Sequence, residues 1–151
     1  MVETMVSDER KWLAGSLEGL SDAEILDFVR LMGGADPLVE LVFLLMPREL
    51  NPEVAEDGVI GWDVRTADRT YAYRTEIRDG QLDAEAGRPA SARVRLAMSL
   101  TTFFRLVTDL QDAQQAFDRQ ELTVEGDLAY ALRLQGMFRT RPMVGACVEL
   151  R

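Results

Sequence analysis

Histidine is absent from the 151-residue sequence, and cysteine and lysine occur once each, as Cys147 and Lys11. Without histidine the chain has no Ser-His-Asp triad, no histidine general base and no histidine-ligated metal site. A single cysteine excludes an internal disulfide and a thiolate metal cluster, and it fits a reducing compartment such as the cytoplasm. We therefore expect a protein that holds no metal and uses no cofactor.

Long apolar runs are also missing. The longest, residues 41–46, is too short to cross a bilayer. The first residues include Glu3, Asp8 and Glu9 and lack the apolar core of a signal peptide. We expect a cytoplasmic protein with no stable insertion into membranes.

Basic residues are scarce at the start of the chain. The whole sequence has 26 acidic and 17 basic residues; residues 1–57 contain 13 and 4 of them, and residues 58–151 contain 13 of each. Acidic surface repels phosphate backbones, so nucleic acid is not an expected partner. The acidic segment is interpreted as a solvated helical appendage, with a partner-facing surface, such as that of a homodimer, as the alternative.

Three helices are predicted before residue 50. The first has apolar residues at helical spacing within residues 1–20. The second begins with a capping box at Ser21 and ends at the glycine pair 33–34. The third begins with Asp36 as its N-cap and ends at Pro47.

Apolar and polar residues then alternate in four segments joined by short turns such as Asp79-Gly80. This succession predicts four antiparallel strands with one apolar face and one face of cross-strand ion pairs. The four segments are residues 59–65, 71–77, 81–86 and 92–98.

Helical spacing returns after Ser99, a predicted N-cap, and breaks near Asp109. Residues 121–125 form a fifth predicted strand, and Asp127 is expected to cap a last helix that ends near residue 141. The apolar tail after that helix is open to two interpretations, a short strand or a plug over the core.

Three segments taken in order resemble the sterol carrier protein type 2 family of intracellular lipid-binding domains. Residues 58–64 open a strand meander whose hairpin is residues 78–81. Residues 96–104 run from a strand into a serine-capped helix with paired aromatics. Residues 116–117 are followed by residues 122–128, a strand that ends in a Glu-Gly-Asp corner, and then by the last helix.

This resemblance implies an α/β (α+β) fold in which helices cover one face of a five-stranded, mostly antiparallel sheet. It also implies a hydrophobic tunnel between sheet and helices for fatty-acyl or sterol-like ligands. Residues 1–50 would be a helical extension packed on the domain, and residues 51–151 the lipid-binding domain. The expected ligand-binding residues are Trp62, Tyr71, Tyr73, Leu96, Met98, Phe103, Phe104, Val107, Phe117, Leu122, Val124, Leu132, Gln135, Met137 and Phe138.

Each of these residues, taken alone, is better explained as part of a filled core; the resemblance reverses that preference for the group, and Met46 is expected outside the cavity. The favoured function is a binding protein or carrier for a hydrophobic small molecule. One alternative is a cofactor-independent cyclase or isomerase of secondary metabolism, with the hydroxyls of Tyr71 and Tyr73 as candidate catalytic groups. Another is an interaction module that uses the acidic residues 1–57.

Overall fold

The computed structural model describes residue 15 and residues 17–138. Three predictions lie outside the described residues: most of the first helix, including Trp12 and Leu13, the end of the last helix near residue 141, and the tail with Cys147.

Ten helices and strands, all predicted from the sequence, are present in the described part of the chain. In chain order they are α1 (Asp22–Leu31), α2 (Ala35–Glu49), β1 (Gly58–Arg65), β2 (Thr70–Arg78), β3 (Gln81–Ala86), β4 (Val94–Ser99), α3 (Leu100–Val107), α4 (Ala113–Asp118), β5 (Leu122–Gly126) and α5 (Leu128–Leu134), followed by a 3-10 turn over Gln135–Met137.

The strand order of the sheet is β3-β2-β1-β4-β5. Three neighbouring pairs are antiparallel, and β1 and β4 run parallel, with Trp62 opposite Leu96. The prediction of four successive antiparallel strands is therefore wrong at one point, because β4 pairs with β1 instead of β3. The chain leaves β3 at one edge of the sheet and crosses to the free side of β1.

One face of the sheet packs against the helices. Its side chains come from alternating positions of all five strands, which confirms the predicted apolar face. Among the described residues buried on this face of the sheet, Thr75 is the one that is neither aliphatic nor aromatic. The buried residues of this face are Ile60, Trp62, Val64, Tyr71, Thr75, Ile77, Leu82, Val94, Leu96, Met98 and Leu122.

The opposite face carries ion pairs, and one of them is a predicted cross-strand pair. The Arg74 guanidinium lies 2.7 Å from the Glu76 carboxylate on the same strand and 3.4 Å from Glu85, its cross-strand partner. Arg93 pairs instead with Asp127 beyond the end of the sheet, at 2.9 Å. These pairs lie on the solvent side of the sheet, where screening by water limits what each contributes to stability.

Helix α1 begins with the predicted capping box. The Ser21 hydroxyl accepts from the Glu24 amide, and the Glu24 carboxylate accepts from the Ser21 amide at 2.9 Å. Helix α2 departs from the prediction, because its N-cap is Gly34 and Asp36 lies within the first turn. Pro47 lies inside the last turn of α2, and the helix continues to Glu49.

The Glu-Gly-Asp corner joins β5 to α5. Gly126 has a φ of 109°, and a Cβ there would lie 2.6 Å from the Arg93 carbonyl oxygen, so a side chain would force the backbone apart. The Asp127 carboxylate accepts from the Tyr130 amide at 3.0 Å, which confirms the predicted cap. That hydrogen bond, and after it the Arg93 guanidinium, hold the pKa of Asp127 below its ordinary value.

No helix within residues 17–138 combines the length and the apolar character that crossing a membrane requires.

Candidate functional site

A cavity of about 240 Å³ lies between the buried face of the sheet and the helices. Fifteen of its 19 lining residues are apolar. Helix α2 forms one wall through a stripe at the spacing of a single helical face. The stripe consists of Leu38, Leu41, Val42, Leu45, Met46 and Glu49.

The sheet and the remaining helices complete the cavity. Strands β1, β4 and β5 supply the floor, while α3, α4, α5 and the segments that follow α3 and α5 close the sides. These other lining residues are Trp62, Leu96, Met98, Leu106, Val107, Thr108, Asp109, Ala113, Leu122, Ala131, Leu134, Gln135 and Phe138.

Two of the four polar lining residues hold the surrounding backbone together. The Thr108 hydroxyl donates to the Phe104 carbonyl at 2.6 Å. The Gln135 amide nitrogen donates to the carbonyls of Leu106 and Gln111 at 2.9 and 2.8 Å, and its amide oxygen accepts from the Ala113 N–H at 2.9 Å. Gln135 therefore fastens α5 to the segment between α3 and α4.

The described residues contain no group of three or more histidine, cysteine, aspartate or glutamate side chains placed to hold a metal ion. The cavity wall is mostly hydrocarbon, and such a wall binds by burying apolar surface.

Seven of the fifteen residues predicted to bind ligand line this cavity, and eight lie elsewhere. The lining residues are Trp62, Leu96, Met98, Val107, Leu122, Gln135 and Phe138. The others are Tyr71, Tyr73, Phe103, Phe104, Phe117, Val124, Leu132 and Met137, of which Leu132 and Met137 border a separate, more polar surface pocket.

Several of the eight pack into a ring cluster beside the cavity. The Phe43 ring stacks on Tyr73 with centroids 4.0 Å apart and on Phe103 at 5.4 Å. Phe103 in turn lies 5.8 Å from Phe104. These rings fill the layer between helices and sheet, which is the core-filling interpretation that the sequence left open.

The sequence comparisons place this arrangement in a family. The SCP-2 sterol transfer family matches residues 54–139, more than half of the chain. The chain belongs to this family. The resemblance inferred from the three sequence segments is thereby confirmed, and membership supports a role in carrying hydrophobic ligands. A search of curated proteins finds no match.

Solved structures share the fold of this SCP-2 family member at low sequence identity. Sterol carrier protein 2 from Yarrowia lipolytica aligns with a TM-score of 0.56 and 20% identity over 69% of this chain and 92% of its own. The palmitated SCP2L2 of Aedes aegypti aligns with a TM-score of 0.55 and 17% identity over 68% and 96%.

A larger protein contains the same fold as a part. The sec-alkylsulfatase Pisa1 from Pseudomonas sp. aligns with a TM-score of 0.60 and 18% identity over 69% of this chain. The alignment spans only 17% of the alkylsulfatase chain. The likeness at this identity shows the fold and nothing about the sulfatase reaction.

Sequence reasoning missed the contribution of α2 to the SCP-2 cavity. This helix precedes residue 54, where the family match begins, and it lies within the predicted extension 1–50. Met46, expected outside the cavity, is part of its wall. The apolar stripe of α2 was visible in the sequence, but its spacing alone fits any buried helix face.

The two tyrosines proposed as catalytic groups make contacts that stabilise the fold. The Tyr71 hydroxyl donates to the Asp36 carboxylate, and the Arg69 guanidinium lies 4.5 Å from the Tyr71 ring centroid. Because Asp36 is in the first turn of α2, this contact ties the start of the cavity wall to β2. Tyr73 belongs to the ring cluster around Phe43.

All three tyrosines hold their protons more tightly than free tyrosine. Burial, followed by the hydrogen bond to Asp36, raises the pKa of Tyr71 to about 12. Burial also raises the pKa of Tyr130 to about 12 and, with the nearby charge of Glu40, raises the pKa of Tyr73. An ionised tyrosine at any of these places lacks solvent that the unfolded chain supplies.

We predict that the tyrosines of the folded protein ionise above pH 10, with Tyr71 and Tyr130 near pH 12. In the unfolded chain the midpoint is at about 10. Between these values the unfolded state releases protons that the folded state keeps, so the free energy of unfolding decreases as the pH rises. Ultraviolet difference absorbance in buffer and in urea measures both curves, and Tyr71→Phe should remove one of the late transitions. Two tyrosines ionising near pH 10 in the folded protein would contradict this.

Proposed function

We propose that this protein binds a hydrophobic small molecule, of fatty-acyl, sterol-like or polyketide type, in the cavity between α2 and the sheet, and carries it unchanged. The observation that supports the proposal is the cavity wall, which is apolar at fifteen of 19 positions. Each methylene buried there contributes about 0.8 kcal/mol. Binding of a chain of several methylenes therefore needs no charged anchor.

Two further points favour a lipid. The family to which the chain belongs is one of sterol transfer, and one structural neighbour was solved in a palmitated form. Thirteen of the 15 apolar lining residues are aliphatic, the exceptions being Trp62 and Phe138. Flexible side chains such as Met46 and Met98 adapt to alkyl chains of different shape.

The alternative of a cyclase or isomerase gains no support. Its candidate groups, Tyr71 and Tyr73, are absent from the cavity wall, and the Tyr71 hydroxyl is bonded to Asp36. The polar lining groups of Thr108 and Gln135 are engaged in backbone hydrogen bonds. The two tyrosines are therefore not placed to act on a molecule held in the cavity.

The direct test is a titration of the purified, delipidated protein with an environment-sensitive fluorescent acyl probe, followed by displacement with unlabelled fatty acid. We expect saturable binding with one probe per chain and complete displacement. Mass spectrometry of the protein before delipidation should reveal a bound hydrophobic molecule. Absence of both the bound molecule and any probe affinity would refute the proposal.

A further inference from the structure

A cluster of aromatic rings borders the cavity at Trp62. Phe43 and Phe103 are 2% and 0% exposed, and the Trp62 ring meets them edge-on with centroids 5.7 and 6.1 Å away. With the stacking of Phe43 on Tyr73, the four rings form a packed block. Aromatic rings in such contact have few alternative rotamers, so the block is a fixed boundary.

Trp62 is the member of this block that also lines the cavity. Its indole N–H donates to the Thr75 hydroxyl at 2.9 Å, and Thr75 is fully buried. A ligand that displaced the indole would break this hydrogen bond and leave a buried hydroxyl without its partner, at a cost that few alkyl contacts offset. This hydrogen bond therefore stabilises the observed orientation of the Trp62 indole.

The cavity volume sets how much ligand this boundary allows. If a methylene takes about the 30 Å³ that a water molecule occupies in the liquid, 240 Å³ accommodates about eight heavy atoms. One alkyl chain segment of that length fits within this volume, whereas a sterol has many more heavy atoms than the volume holds. The remainder of a longer chain would stay outside the wall.

We propose that Trp62 is a specificity-determining residue that limits the ligand to one unbranched alkyl chain with about eight to ten enclosed carbons and excludes sterols. This inference rests on the proposed function, because it specifies which hydrophobic ligand the cavity takes. The ligand class is a medium-chain acyl compound, or the end of a longer chain whose remaining carbons add little to the binding free energy.

The test is a series of saturated fatty acids from six to 16 carbons, each below its micellar concentration, measured by displacement of the acyl probe. Affinity should rise about fourfold with each methylene and then level off at about eight to ten carbons. Cholesterol should not displace the probe. A steady rise through 16 carbons, or displacement by cholesterol equal to that by decanoate, would overturn the inference.

A paired substitution tests the residue itself. Trp62→Leu with Thr75→Val removes the indole and its hydroxyl partner together, and it should move the break about two carbons further along the series, because the indole exceeds leucine by about two methylene volumes. Phe104→Leu is the matched control, since Phe104 is a buried ring outside the cavity wall and its loss should leave the break unchanged. An unmoved break in the folded double variant would overturn the role of Trp62.

The outcomes separate the two proposals. If no fatty acid of any length binds, the proposed function fails and this inference with it. If all lengths bind without a break, the carrier function stands and the size limit alone is wrong. The wild-type series decides the size limit even if the double variant does not fold.

Discussion

Replacing Ala131 by phenylalanine is expected to weaken binding of an acyl probe more than about 100-fold. Ala131 is 4% exposed and lies on the side of α5 that lines the cavity. A phenyl ring there takes up most of a space that accommodates about eight heavy atoms. Loss of about four buried methylenes corresponds to about 3 kcal/mol, or more than two orders of magnitude in Kd.

The same substitution two residues earlier provides the control. Ala129 lies on the same helix with its side chain in solvent. Ala129→Phe should therefore bind the probe like the wild type, with the same helical content by circular dichroism. If Ala131→Phe is folded and still binds the probe within threefold of the wild type, the cavity described here is not the binding site.

Replacing Phe43 by alanine is expected to lower the free energy of unfolding by about 3–5 kcal/mol. Phe43 is 2% exposed and contacts the rings of Tyr73, Trp62 and Phe103, so its removal leaves a void at the centre of the ring cluster. A loss of this size is a large part of the free energy of unfolding of an ordinary domain. Urea denaturation followed by circular dichroism measures it.

The neighbouring position again supplies the control. Leu44 is 71% exposed on the solvent side of α2, and Leu44→Ala should change the free energy of unfolding by about 0.5 kcal/mol or less. A Phe43→Ala variant as stable as Leu44→Ala would show that the cluster is not packed as described.

Local sequence signals predicted the elements of this fold well. The alternation in β1 and β2, the capping box at Ser21 and the Asp127 cap depend on residues within a few positions of one another. The caps satisfy backbone groups of their own helix, and the alternation follows from the two-residue period of a strand with one buried face, so both can be recognised in a single sequence.

The pairing of the strands could not be predicted from such local signals. The parallel contact of β1 with β4 joins segments more than 30 residues apart, and nothing in either segment specifies its neighbour. Short connections favoured antiparallel order. In the structure β4 instead pairs with the free edge of β1, where the apolar faces of the two strands form one surface. Pairing of this kind depends on the assembled sheet.

The candidate site shows the same limit. Trp62, Leu96 and Met98 were predicted correctly as inward-facing residues, yet inward position does not distinguish a cavity wall from a filled core. The Tyr71 hydroxyl, a candidate catalytic group, is bonded to the Asp36 carboxylate. The two residues are 35 positions apart, so no local pattern in the sequence predicts this contact. Whether a buried ring borders a void depends on the volumes of all its neighbours.

Several expectations stay predictions. They include the division of the chain at residue 50, the formation of a homodimer, a cytoplasmic location, the absence of a metal and a cofactor, and the part of the predicted residues in ligand binding. The first is the most closely connected with the site, because α2 lies before that division and forms a wall of the cavity beyond it.

A crystal structure of the protein with bound decanoate tests the central claim most directly. We expect elongated density between α2 and the sheet, in contact with Leu45 and Leu96 and ending against the Trp62 indole. Density on the outer surface only, or an interior in which the α2 side chains close onto the sheet and leave no space for an alkyl chain, would contradict it.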